Sequence, residues 1–286
     1  MNILLTGGTG FIGSHFLNQA LNACHYVRAL RRSENSSPRI KLLQQPEWLN
    51  CQLNTVTAAQ LQGCDVLVHL SAHSVQYPFD SLAECLHWNL IAVLQLFDQA
   101  RKAGIRHFVV AGSCFEYGKS GERYEVIPSD APLEPTSSYA VSKASATLAL
   151  TQWANEHHVN LDILRIFHVY GEGESTSRFW PSMRRAALAG DDFAMTAGEQ
   201  IRDFIRVEDV ANTFLLWATD SILKNSGSNI YNLGSGNPTS LASFATQYWN
   251  RWNAAGNLLL GSLNYRRNEC MRLVPGPNLI NVINCV

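Results

Sequence analysis

An α/β fold, with a parallel sheet covered by helices on both faces, is what this sequence predicts, and three observations carry that expectation. A glycine-rich run, Gly7-Gly8-Thr9-Gly10-Phe11-Ile12-Gly13, joins an apolar stretch at Asn2 to Leu5 to an amphipathic one. Apolar runs of strand length then alternate with helical patterns as far as about residue 165. Small or polar residues stand where these runs end: Thr6, Arg31, Ser71 and Ser113. Alternating strands and helices make right-handed βαβ units, so the sheet should be parallel and buried on both sides. Ligands of such sheets bind beyond the carboxyl ends of the strands, which places these residues along one edge.

The first strand should end near Thr6 and a helix should begin near Phe11. The turn between them is crowded. Gly7 permits the tight turn, Gly10 lets the backbone approach a pyrophosphate, and Gly13 lets helix and strand pack closely. Unpaired N–H groups at the helix start, around Phe11, Ile12 and Gly13, would hold the phosphate charge with the dipole's positive end. A glycine run also marks ordinary turns; its position between strand and helix makes it a dinucleotide site. The fold expected is therefore a Rossmann-type doubly wound parallel sheet.

Ile12, Phe16, Leu17, Ala20 and Leu21 follow helical spacing to Ala23, and His25 to Leu30 reads as a second strand. Arg31-Arg32-Ser33 leaves its end, where an acid would bind the 2′-hydroxyl of NAD and arginine accommodates the 2′-phosphate of NADP. Two arginines predict NADP, with NAD as the alternative; a solvated basic loop is the plain reading. A third strand is weakly signalled near Cys51 to Asn54. Asp65 to Leu70 is a buried strand, and Leu70 with the Ser71-Ala72-His73 that follows it is able to lie beside a cofactor. A long helix follows from Glu84 to Lys102, with Leu86, Leu90, Val93, Leu94, Phe97 and Ala100 on its apolar face. Asn89 interrupts that pattern and should either bond neighbouring backbone or be solvated. His107 to Gly112 is the next buried strand and ends in Ser113.

After a proline-rich loop, Ser137-Ser138 can cap a helix that runs from Tyr139 to about Glu156. Tyr139 and Lys143 stand four apart and share one face of it. A free phenol has a pKa near 10, about three units from neutrality. A neighbouring ammonium is expected to lower it toward the working range. A surface Tyr–Lys pair is the plain alternative; the glycine loop upstream favours chemistry.

Composition sets the outer bounds. The chain has 286 residues, 46% of them apolar, with 22 Lys+Arg against 23 Asp+Glu. That size and apolar content suit one large α/β unit or two intimate ones, and the charge balance points to neither nucleic acid nor an anionic membrane. No run approaches the roughly 18 apolar residues of a membrane span. Seven scattered cysteines without Cys-x-x-Cys spacing read as reduced thiols, not disulfides or a metal site, so a cytoplasmic protein is expected.

Five segments occur in one order: Gly7–Gly13, Ser113-Cys-Phe-Glu-Tyr-Gly118, Tyr139-Ala-Val-Ser-Lys143, Leu164-Arg-Ile-Phe-His-Val-Tyr-Gly171 and Gly198-Glu-Gln-Ile-Arg-Asp-Phe-Ile205. As a set they resemble the extended short-chain dehydrogenase/reductases, in the nucleotide-sugar epimerase/dehydratase group. The resemblance implies a catalytic triad at Ser113, Tyr139 and Lys143, with Lys143 also holding the nicotinamide ribose. It implies a dinucleotide-binding domain over about 1–168, with a returning segment at about 206–232. A smaller substrate lobe over 169–286 would interleave with it. Arg202 and Arg266 match positions that grip a nucleotide diphosphate, for which the planar guanidinium fork is suited. The plain alternative for Arg202 is an ion pair with Asp203 or Glu208, and Arg267 competes with Arg266. A homodimer through the helices at about 84–102 and 139–156 is also implied.

Departures from the family pattern narrow the chemistry. Relatives that eliminate water carry Asp-Glu directly after the catalytic hydroxyl residue, where this chain has Cys114 and Phe115, with a glutamate only at Glu116. A synthase branch uses a Cys two residues before the motif's tyrosine, again the place of Phe115; Cys114 reads as a small buried hydrophobe. His168 stands where many relatives have Asn, bonding cofactor or substrate or simply packed. These features resemble the deoxysugar 4-ketoreductases, which implies NADPH-dependent reduction of a nucleotide-linked 4-keto-6-deoxyhexose. The alternatives are a nucleotide-sugar 4-epimerase with bound NAD and a non-catalytic NADP-binding regulator. Relatives also continue past Leu273-Val-Pro275 with a closing helix, so the substrate lobe is expected to be short.

Overall fold

A computed structural model describes residues 1–220, 227–266 and 269–276. The closing segment, 277–286, lies outside the described residues.

The elements run β1 (Asn2–Thr6), α1 (Phe11–Asn22), β2 (Tyr26–Arg31), β3 (Glu47–Asn50), α2 (Ala58–Leu61), β4 (Val66–His69) and α3 (Leu82–Leu86). A π-helical turn at His87–Ile91 leads into α4 (Ala92–Lys102), then β5 (His107–Ser113), α5 (Ser138–His157) and β6 (Asn160–Ile166). The rest is β7 (His168–Tyr170), α6 (Phe179–Ala189), β8 (Phe193–Ala194), β9 (Ile201–Arg206), α7 (Val207–Thr219) and β10 (Ser228–Leu233). Last come β11 (Pro238–Ser240), α8 (Leu241–Arg251), β12 (Leu258–Leu259) and β13 (Arg272–Leu273).

Seven parallel strands in the order β10-β6-β5-β4-β1-β2-β3 form the main sheet. Side chains alternate across each strand, so each feeds two cores. Ile3, Leu5, Val66 and Val68 join Phe16, Leu17, Phe214 and Trp217 on the face covered by α1 and α7. Leu4, Leu67, Phe108, Leu161 and Ile163 join Phe97, Leu150 and Trp153 on the face covered by α4 and α5. The strand order reverses between β1 and β4, the crevice at which ligands of such sheets bind.

Three differences from the expected elements have local causes. The third strand is Glu47–Asn50 and not Cys51–Asn54, because polar pairs to β2 fix its register. Arg28 meets Glu47 at 2.6 Å, and Arg31 Nε donates to Asn50 Oδ1 at 2.7 Å. The long helix begins two residues early, at Leu82, where Ser81 Oγ accepts from the Glu84 N–H. Its π-turn rotates Asn89 inward to a buried position. There Asn89 Oδ1 accepts from the His73 N–H at 2.7 Å, and Nδ2 donates to His73 O and to Ser142 Oγ. Asn89 thus clamps the loop after β4 to α5.

From β6 the chain passes through Phe167 into β7, which pairs with β9 in a smaller sheet completed by β11 and β13. Helices α6 and α8 close that lobe around Tyr170, Trp180, Phe244 and Tyr248. Between β9 and β11 of the smaller sheet, the chain contributes α7 and β10 to the main sheet and its core.

A Cβ added at Gly13 would sit 2.0 Å from the Gly7 carbonyl oxygen, which neither backbone can avoid. Gly13→Ala should cost about 3 kcal/mol. That corresponds to a fall in Tm of roughly 6–10 °C. Thermal unfolding followed by circular dichroism checks this; an unchanged Tm would contradict the close packing.

Candidate active site

One continuous cleft of about 2390 Å³ runs along the carboxyl edge of the main sheet and under the smaller lobe. It brings together Gly7, Gly10, Phe11, Ile12, Gly13, Arg31, Arg32, Leu70, Ser71 and Ala72 at one end. At the other stand Ser113, Cys114, Phe115, Tyr139, Lys143, His168, Arg202 and Arg266. Every residue singled out from the sequence as a site candidate therefore lines one space.

The glycine loop is shaped for close backbone approach. Gly7 has φ +79°, and a Cβ there would lie 2.6 Å from Leu70 C and Ser71 N. The turns after β1 and β4 are thus pressed together. Gly10 caps α1 without a side-chain hydrogen bond, and no acidic residue enters the helix's first turn. The N–H groups and dipole there are free to meet an anion, so these residues fit a dinucleotide pyrophosphate. At the end of β2, Arg31 lies over the Trp48 ring at 4.9 Å, and Arg32 is exposed to the cleft.

Tyr139 and Lys143 are both buried on α5, which Ser137 caps by accepting from the Ala140 N–H. Lys143 Nζ donates to Ala111 O at 2.7 Å, anchoring α5 to β5. The expected lowering of the Tyr139 pKa is not what the surroundings produce. Burial pushes the phenol well above its ordinary range; hydrogen bonding with Ser113 opposes this, and the Glu116 charge adds to it. Burial likewise pushes the Lys143 ammonium below its ordinary value, with Glu116 opposing. Desolvation outweighs the helical pairing because both groups sit in an apolar wall.

Cys114 is buried with Tyr117, Ile127 and Phe167, and burial raises its thiol far from reactivity. It packs as a hydrophobe. His168 touches Phe115 and Phe204 edge-on. Burial, with the charges of Arg202 and Arg178, holds His168 at about 3, so the ring is neutral. Its Nδ1 is buried with no partner among the described residues.

Arg202 pairs with neither Asp203 nor Glu208. Its Nη1 donates to Ile201 O, and Nη2 meets Glu269 at 3.4 Å and the Cys270 carbonyl. Asp203 instead accepts from Ser235 N and Gly236 N, at 2.5 and 2.7 Å, while Glu208 pairs with Arg206. Arg266 is exposed; Arg267 lies outside the described residues.

Sequence reasoning missed Glu174. Its side chain is 9% exposed on the cleft wall, with one oxygen 3.5 Å from Arg178. Oε2 is buried with no partner among the described residues. No local pattern marks it, since its burial comes from the turn between β7 and α6. Gly173 in that turn lies against Arg39 and Ile40. Burial lifts the Glu174 carboxyl from 4.5 to about 7, against the pull of Arg178. A carboxyl raised on folding costs stability as pH rises from about 4.5 to about 7, because the unfolded chain releases its proton first. Glu174→Gln should therefore gain about 3 kcal/mol at pH 8 relative to pH 4. Denaturant melts at both pH values check this; an equal effect at both would contradict it.

Comparison with known proteins agrees with this geometry. The family model described as the NAD dependent epimerase/dehydratase family matches residues 3–234. The chain is similar to a UDP-glucose 4-epimerase of Pasteurella multocida, 30% identical over 82% of this chain and 78% of that protein. It is also similar to the CDP-abequose synthase of Salmonella typhimurium, 27% identical over 94% of this chain and 87% of that one. Among solved structures, MoeE5 in complex with UDP-glucose and NAD superposes with a TM-score of 0.82 at 26% identity, covering 99% and 92%. The glycine cradle, the parallel sheet and these similarities lead to one conclusion: the chain belongs to the NAD dependent epimerase/dehydratase family of nucleotide-sugar-modifying enzymes.

Proposed function

We propose that this protein is an NADPH-dependent reductase that converts a nucleotide-linked 4-keto-6-deoxyhexose to the 6-deoxyhexose. The observation that carries the reading is the convergence of Ser113, Tyr139 and Lys143 on one cleft without an acid pair beside Ser113. Cys114 is packed away, Phe115 is apolar, and Glu116 is fully buried outside the cleft lining. Elimination of water would need an acid and a base at those places. Reduction needs only one proton donor.

The bound nicotinamide would supply a hydride to C4. Tyr139 protonates the C4 oxygen as negative charge develops on it, and Ser113 hydrogen-bonds the same oxygen. Burial keeps the phenol protonated, so it carries the proton that the step requires. Lys143, with its amine fixed on Ala111 O, lies along the same wall to hold the nicotinamide ribose and return a proton to Tyr139. Arg202 and Arg266 hold the diphosphate, and neutral His168 offers a ring nitrogen to the sugar. Arg31 and Arg32 face the adenosine end, where their charge suits a 2′-phosphate. A homodimer through α3–α4 and α5 belongs to the same reading, and both carry exposed apolar residues, Ile91 and Leu148 among them.

The second reading is a nucleotide-sugar 4-epimerase, favoured by the resemblance to the Pasteurella multocida relative. The bound cofactor separates the two: an epimerase would copurify with NAD, whereas the reductase should bind NADPH reversibly. Tyr139→Phe should lower kcat by about 10²–10⁴-fold while NADPH affinity, read by fluorescence titration, stays within about twofold. Near-normal turnover in that variant would sink the assignment. Arg32→Ala should weaken NADPH roughly 30-fold and leave NADH unchanged. Equal losses for both cofactors would remove the case for NADP.

A further inference from the structure

We propose that Glu116 is a positioning residue for the Ser113, Tyr139 and Lys143 cluster, tying the end of β5 to the working face of α5 through one buried carboxylate. The inference rests on the acid–base role given to that cluster above.

The carboxylate is fully buried, and each oxygen has a definite task. Oε1 accepts from the Ser113 N–H at 2.8 Å. Oε2 accepts from Thr147 Oγ1 at 2.9 Å and from Arg165 Nε at 2.8 Å. Thr147 stands one turn beyond Lys143 and two beyond Tyr139, so it shares their helix face. One side chain therefore fixes the backbone of Ser113, the face of α5 and the end of β6. The Ser113 side chain caps the short turn that carries Glu116, by accepting from the Phe115 N–H at 3.3 Å. Capping is reciprocal, and the rotation of Ser113 is set by it.

Arg165 is held on its far side without Glu116. It lies 4.7 Å from the centre of the Tyr117 ring, and its Nη1 donates to Tyr117 Oη and to Ser129 O. Tyr117 in turn donates to Asn232 Oδ1 at 2.5 Å. That chain of bonds orders the floor beneath the cleft. The link from floor to Ser113 is Glu116.

The Glu116 charge also reaches Tyr139 and Lys143 across space. Glu116 raises both Tyr139 and Lys143 relative to what burial and their other neighbours impose. Those neighbours are Ser113, Cys114 and Arg178 around Tyr139, and His69 beside Lys143. Arg165, Tyr117 and Thr147 face Glu116 itself. Loss of the negative charge should therefore lower the midpoint of Lys143 and of Tyr139 together.

Glu116→Gln keeps the shape and an oxygen to accept from Ser113, and removes only the charge. The Lys143 side-chain carbon resonance, assigned by its loss in Lys143→Arg, should titrate about one pH unit lower in Glu116→Gln, with the other lysines unmoved. That midpoint is read on resting protein, so it stands apart from the reductase assignment, which Tyr139→Phe tests. In turnover, kcat should fall about tenfold with KM held within about threefold, and the alkaline limb of the pH profile should move to lower pH. If the uncompensated Arg165 prevents folding, Glu116→Gln with Arg165→Met removes both charges, and the Lys143 midpoint should then fall by less than in the single variant, because the cation that opposed Glu116 is lost with it. An unchanged Lys143 midpoint in a folded variant would overturn the proposal and leave Glu116 a structural ion pair.

Discussion

A contact between two stretches of backbone sets the architecture of the cleft. The start of α1 rests against the turn that leaves β1, with Gly13 over the Gly7 carbonyl and Gly7 against the chain at Leu70 and Ser71. Nothing larger than hydrogen fits at either glycine. The contact fixes where α1 points, opens the crevice at the reversal of strand order, and presents uncapped N–H groups to it. The seven-stranded sheet then delivers the other parts by register alone. β4 ends at His69, just before Leu70 and Ser71, and β5 ends at Ser113 beside the end of β6.

Desolvation governs the chemistry of the second half of the cleft. Tyr139 is pushed toward the neutral phenol and Lys143 toward the neutral amine by the same apolar wall. His168 is held neutral by burial and by the arginines that face it. Arg178 and Arg202 on this wall stand beside Glu174 and Glu269, at 3.5 and 3.4 Å, while Arg266 is exposed. The Glu116 carboxylate is buried outside the cleft lining, where it accepts from the Ser113 N–H.

Much of this was legible in the sequence because it is written locally. The strands at Asn2–Thr6, Val66–His69 and His107–Ser113 are short apolar runs, and the glycine loop has its spacing within seven residues. Tyr139 and Lys143 share a face by helical geometry. The strand at Glu47–Asn50 was not legible, since it is held by Arg28 and Arg31 from the neighbouring strand and not by an apolar pattern of its own. Asn89 points inward only because a π-turn adds a residue to its helix. The partner of Arg202 proves to be Glu269, across 67 positions of chain, which no spacing rule reaches. The direction of the Tyr139 shift also escaped the sequence, because helical spacing gives the pair's proximity but not the depth of its burial.

A cleft that reduces a keto sugar at the expense of NADPH must consume reduced nicotinamide when that sugar is supplied. The purified protein would be mixed with NADPH or NADH and a panel of CDP-, dTDP- and GDP-linked 4-keto-6-deoxyhexoses, followed at the absorbance of the reduced ring. NADPH should be consumed in stoichiometric amounts with one nucleotide series, yielding NADP and the 6-deoxyhexose. If neither cofactor is consumed with any sugar while NADPH still binds, the reductase assignment is contradicted.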